Sequence, residues 1–138
     1  MNYLAEALVL PEYTSANKLI LPVKLSAGIL RRVDIVFPPG CVRRVHVQVF
    51  HGVNQVLPLV PGTSYAEDGT RLELPEHRPF ETGENLFYIV AWNDGCAYQH
   101  LITIMINVQE PGEIDEPAAL KYLADAIVAL VEKIRTLW

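Results

Sequence analysis

The sequence predicts a mainly β protein: an antiparallel β-sandwich or jelly-roll-like domain followed by a C-terminal amphipathic helix. Three observations predict it. Short runs with alternating apolar and polar residues recur from Lys18 to Val108, the period of a strand with one buried face. Gly, Pro and an Asp-Gly pair separate these runs at the rhythm of an all-β domain. Beyond Val108 the apolar spacing changes from two to three and four, which is the spacing of one face of a helix.

The elements follow in chain order. Residues 1–11 read as a short apolar N-terminal arm ending at Pro11, and residues 12–109 as the β domain. "KLILPVKL" (18–25) is extended, and Pro22 within it marks an edge strand or a bulge. In "ILRRVDIVF" (29–37) Val33, Ile35 and Phe37 share a face, and Pro38-Pro39-Gly40 stops the run. In "RVHVQVFH" (44–51) Val45, Val47 and Val49 take one face and His46, Gln48 and Phe50 the other. "NQVLPLV" (54–60) ends at Pro61-Gly62, Asp68-Gly69 signals a tight turn, and "TRLEL" (70–74) stops at Pro75. "NLFYIVAWN" (85–93) and "YQHLITIMINV" (98–108) are the longest strands, and the "DGCA" between them has hairpin length. On the last strand Ile102, Ile104, Ile106 and Val108 line one face and Leu101, Thr103, Met105 and Asn107 the other.

"EPGEIDEP" (110–117) is an acidic linker. The helix, residues 118–138, takes its cap from Asp115 or Glu116, with Pro117 in its first turn and Lys133 and Arg135 near its far end. Leu120, Leu123, Ile127, Leu130, Ile134 and Leu137 recur at alternating spacings of three and four, a heptad seam that Ala124, Val131 and Trp138 widen. Such a stripe packs on its own sheet, on copies of itself or on a foreign partner. At this length it does not separate a dimer from a trimer.

Composition narrows the function. The chain has 138 residues, a hydrophobic fraction of 51% and a net charge of −5, with a mean hydropathy of +0.20. That length is one domain. No apolar run reaches the ~20 residues of a membrane span, and the start, with Glu6 inside its apolar part, makes a poor signal peptide. The surplus apolar surface therefore points to a subunit interface, for which obligate contacts are the precedent. The negative charge argues against a general nucleic-acid binder, with Arg31-Arg32 and Arg43-Arg44 as local exceptions.

Chemistry has few candidates. Cys41 and Cys96 are too few for a disulfide framework and are left as either a pair or two free thiols. His46 and His51 point to opposite faces of a straight strand. Cys96 with His100, joined by His77, is a slightly better metal candidate, but nothing resembles a close-spaced zinc pair. Cys96, His100 and Asp94 could be read as a catalytic trio, yet a hairpin tip would lack a preorganised oxyanion hole. Glu73, Glu76, Glu81 and Glu84 read as solvent-facing loop charges. The sequence thus predicts no enzyme, no cofactor and no metal. Trp92, Tyr88 and Tyr98 could form a sugar-binding platform, although the mixed face Tyr88-Val90-Trp92 is more often core. Phe50, on the face away from the valines, hints at a neighbouring chain.

"VDIVFPPGCVRRVHVQVFHG" (33–52) and "FYIVAWNDGCAYQHLITIMINV" (87–108) together resemble small β-rich proteins encoded among the virion genes of tailed phages. The likeness covers roughly Leu30 to Val108 and rests on the Pro-Pro-Gly-Cys corner and the "AWN" strand. It implies a capsid decoration protein, or a tail or baseplate accessory subunit, assembled into a virion in the host cytoplasm. It implies self-association as a trimer or dimer and contact with the major capsid protein or another virion protein; it carries no catalytic residue. The expected interface is the seam Leu120, Leu123, Ile127, Leu130, Ile134 and Leu137, with Leu8 and Leu10 as a second contact and Phe50 beside them.

Overall fold

The computed structural model describes residues 1–136 except 82, 84 and 111–117, with helix side chains described over 126–135. Strands β1 (Asn2–Val9), β2 (Leu19–Lys24), β3 (Gly28–Phe37), β4 (Val45–His51), β5 (Asn54–Leu57), β6 (Thr70–Phe80), β7 (Leu86–Asn93) and β8 (His100–Gln109) precede one helix, α1 (Ala118–Thr136). The strands form two four-stranded antiparallel sheets, ordered β1-β8-β3-β6 and β2-β7-β4-β5.

One hydrophobic core takes side chains from both sheets. The first sheet contributes Ala5, Ala7 and Val9, Val33, Ile35 and Phe37, and the isoleucines of β8. The second contributes Val45, Val47, Val49, Phe87, Ile89 and Ala91. Period-two alternation explains this, since each run sends its apolar set to one face. The ladder fits volumes together as well: Ile35 and Ala5 both lie beside Ile104, and Val47 lies beside Ala91. Each fully buried aliphatic side chain stabilises the fold by about 1.5–3 kcal/mol.

Several expectations need correction. The start of the chain is no arm, because β1 pairs with β8 along its whole length and buries Ala7 and Val9. Its alternation is masked in the sequence because alanines take the inward positions. β5 is shorter than 54–60 and stops at the cis Leu57-Pro58 bond. β6 does not stop at Pro75 but continues to Phe80. It tolerates Pro75 and Pro79 because it is an edge strand with only β3 as neighbour. β2, with Pro22, is an edge strand too, as its sequence predicts.

The "DGCA" segment is not a hairpin loop. β7 and β8 lie in different sheets, and the segment arches between them. Buried Asn93 holds the arch: its Nδ2 donates to the carbonyls of Cys96 and Tyr98, and its Oδ1 accepts from the Cys96 amide at 2.8 Å. The Pro-Pro-Gly-Cys corner is likewise a passage between sheets, from β3 to β4. Gly40, Val42 and Arg43 all have positive φ there, a region that costs a β-branched valine dearly. The Arg44 amide donating to Cys41 O at 2.9 Å and the Gly40 amide donating to Asp68 Oδ1 at 2.9 Å hold the bend. Among the described strands, only β4 and β5 follow each other within a sheet, through a tight turn at Gly52.

Candidate functional site

The interface residues expected from sequence fall in three places. Ile127, Leu130 and Ile134 lie on α1 and are 53%, 59% and 48% exposed, with Val131 at 45% beside them. Leu120 and Leu123 belong to α1, but their side chains lie outside the described residues, as Leu137 does altogether. Leu8 is exposed on the outer face of β1, opposite exposed Leu101 on β8. Leu10, just past the strand, is half-buried.

Phe50 is half-buried on the outer face of the second sheet, opposite Tyr88. These two, with Lys18, Ile20, Gln48, Gly52, Val53 and Val90, line an open depression of about 480 Å³. Its floor is rigid. Gln48 is buried, and its Nε2 donates to Thr63 O at 2.9 Å. Gln55 Nε2 donates to the carbonyls of Pro58, Val60 and Thr63, and Gln55 Oε1 accepts from the Gly62 amide. This clamp holds out a loop whose Leu59 and Val60 are exposed, with Val53 exposed on the β4–β5 turn. Sequence reasoning missed these three; flanking prolines and glycines marked a loop but not its display of aliphatic side chains.

Trp92 offers no stacking platform. It is 9% exposed, and it lies on the outer side of β7 rather than in the core between the sheets. His46, its cross-strand partner, stacks on the ring at 5.0 Å and 6°, and Lys18 Nζ sits 4.4 Å from the ring centroid. His46 Nδ1 is 2.8 Å from Ser64 Oγ. Burial lowers the His46 pKa, and the Asp94 carboxylate partly restores it. His51 lies on the opposite face, stacked on Phe87 at 4.4 Å, with Arg78 Nε donating to its Nδ1 at 2.8 Å. The two histidines therefore diverge as strand parity requires.

Of the metal and nucleophile candidates, the structure joins Cys96 and His100, with Sγ 3.1 Å from Nε2. His77 is elsewhere, against Arg31 Nη1 at 2.8 Å. Among the described residues, no three of His, Cys, Asp and Glu converge as metal ligands. Both thiols are free. Cys41 is fully buried, and burial first, then Asp68 and Cys96, push its thiol up to about 11. It stays protonated near neutrality, when the thiolate is the nucleophilic form.

The outer face of the first sheet carries a charge network that the sequence did not reveal. Asp34 is 5% exposed. It accepts from Arg32 Nε at 2.7 Å and Arg71 Nη2 at 2.6 Å. Glu73, read from sequence as a loop charge, is on β6 and lies 3.0 Å from Arg32 Nη2. The hydrogen bond from Arg32, opposed by burial and helped by Arg71, holds the Asp34 carboxyl below its ordinary range. Parity alone puts Arg32 and Asp34 on one face; only the pairing of β3 with β6 brings Arg71 and Glu73 to them. No protein-family model matches this chain, and no curated protein matches it in sequence.

Proposed function

We propose that this chain is a non-enzymatic virion structural protein, a capsid decoration or accessory subunit that self-associates as a dimer or trimer and stabilises a larger assembly. The observation that carries the reading is the exposed apolar row Ile127, Leu130, Val131 and Ile134 on α1. Four such half-exposed side chains forgo roughly half of the 1.5–3 kcal/mol that full burial is worth to each, so a partner surface is the stable place for them. In this reading α1 is an amphipathic seam that meets a second copy.

The strand orders favour the same assignment. The orders β1-β8-β3-β6 and β2-β7-β4-β5 support reading the body as a jelly-roll sandwich of two interlocked Greek keys. Viral capsid domains use that architecture, as do lectins and cupins. Its interior here is filled with aliphatic and aromatic side chains, as in a load-carrying module rather than a ligand-holding one. Fold alone does not select a function; the exposed helix row gives the virion reading its weight. The buried ring of Trp92 weighs against the glycan platform.

Light scattering on the full chain and on its Ile127→Asp/Leu130→Asp variant tests self-association. The full chain should be a dimer or trimer and the variant a monomer with the same unfolding curve. An unchanged mass in the variant removes the helix seam. Co-sedimentation of the tagged chain with banded virions tests the location, and recovery in the soluble fraction alone removes the virion assignment.

A further inference from the structure

Among the described residues the two four-stranded sheets have four edges, formed by β1, β6, β2 and β5. An edge strand shows unpaired amides and carbonyls, and proteins commonly blunt such edges with proline, short length or charge. Three are blunted here. β6 contains Pro75 and Pro79, β2 contains Pro22, and β5 has four residues and ends at Pro58. β1 differs: it is an eight-residue strand without proline, and its exposed Leu4 and Leu8 flank one charge, Glu6.

The parity of its hydrogen bonds decides what the free edge presents. The Met1 amino group donates to Val108 O, and the Val108 amide donates to Met1 O. Met1 and Val108 are therefore a hydrogen-bonded pair of the β1–β8 ladder, and such pairs alternate. By the register of Tyr3 on Ile106 and Ala5 on Ile104, odd-numbered residues turn their backbone groups toward β8. The even-numbered Asn2, Leu4, Glu6 and Leu8 turn theirs to the free edge.

Residues 4–8 read Leu-Ala-Glu-Ala-Leu, the same in both directions. Antiparallel pairing of two such edges about a two-fold axis at Glu6 sets Leu4 against Leu8 of the second copy. It also sets Ala5 against Ala7 and forms about six backbone hydrogen bonds from the free-edge residues. A slip of one step along the even residues would set Leu4 against Glu6. We propose that the free edge of β1 pairs with β1 of a second copy in this two-fold register, joining the two first sheets into one continuous sheet, with Glu6 limiting its strength. Edge pairing of this length buries on the order of 1,000 Å², the low end of specific interfaces. The two Glu6 carboxylates, directly opposite, weaken it further. The contact is a weak, isologous one that gains force when copies are held together by something else. It stands independently of the helix seam.

The test is sedimentation equilibrium over a concentration series, on the full chain carrying Ile127→Asp/Leu130→Asp so that the helix does not contribute. Adding Glu6→Gln should tighten dimerisation roughly fivefold, and added salt should tighten the chain that keeps Glu6 but not the Glu6→Gln variant. In the Glu6→Gln background Leu4→Glu should weaken it roughly tenfold, and Leu4→Glu/Leu8→Lys should recover it, because the two-fold register sets residue 4 against residue 8. All sites are exposed, so matching unfolding curves check that each variant folds. A Glu6→Gln variant that stays monomeric overturns the proposal and assigns the edge to a foreign strand. Failure of Leu8→Lys to rescue Leu4→Glu overturns the register.

Discussion

The same residue types meet opposite fates in the body and in the helix. Ile35, Ile102 and Ile104 are fully buried between the sheets, whereas Ile127 and Ile134 on α1 are about half exposed. The body has one apolar core, to which both alternating sheets contribute their inward side chains. A single helix with an apolar row has no second layer of its own. The body has a core of its own, and the described apolar row of α1 is left exposed.

Substitutions should separate the two regions sharply. Phe37→Ala, in the fully buried centre, should cost about 3–5 kcal/mol in urea unfolding. If it costs as little as a helix substitution, the body is not self-sufficient. Asp34→Ala should cost less, about 1–2 kcal/mol, because both arginine partners are half exposed and remain solvated. The depressed Asp34 pKa fixes the sign with pH. The folded state binds this proton less readily than the unfolded state. The stabilisation is therefore full above the ordinary aspartate range and is lost as pH falls through the depressed value. Acid unfolding of Asp34→Asn should be flatter than that of the native chain in that window.

Thiol chemistry offers a finer reading of the same contrast. At pH 8 a disulfide reagent should modify half-buried Cys96 in the native state and reach Cys41 only on unfolding, since Cys41 is both enclosed and protonated. Equal rates would mean that the β3–β4 corner opens locally. The smallest thermodynamic effect belongs to the helix. Ile127→Asp/Leu130→Asp should leave the unfolding free energy of the body within about 0.5 kcal/mol while changing the molar mass.

Much of this was legible in the sequence, and the failures share a cause. Alternation located the core of β3, β4 and β8, because Val, Ile and Phe mark a buried face there, but on β7 it favoured Tyr88, Val90 and Trp92 where the core takes Phe87, Ile89 and Ala91. It missed β1, whose inward positions hold Ala5 and Ala7. It misjudged β6, because prolines that stop a central strand are harmless at an edge, and edges are a property of topology. Loop length could not tell a hairpin from an arch at residues 94–97, where buried Asn93 makes the difference. The Asp34 network and the free edge of β1 stayed hidden for the same reason: both depend on which strands are neighbours, and no local pattern encodes that.

Gly28 carries one last consequence. It opens β3 where the carbonyl of Gln109 passes so close that a methyl group on Gly28 would overlap it, with Glu110 Cα also within reach. The spot where the C-terminal segment departs from the sheet is thus moored by a residue far upstream, through an atom that is absent. Gly28→Ala would leave every neighbouring side chain intact and still shift the end of β8. A change that reads as mild in a strand would act as a displaced anchor, felt at the end of β8 before it is felt in the core.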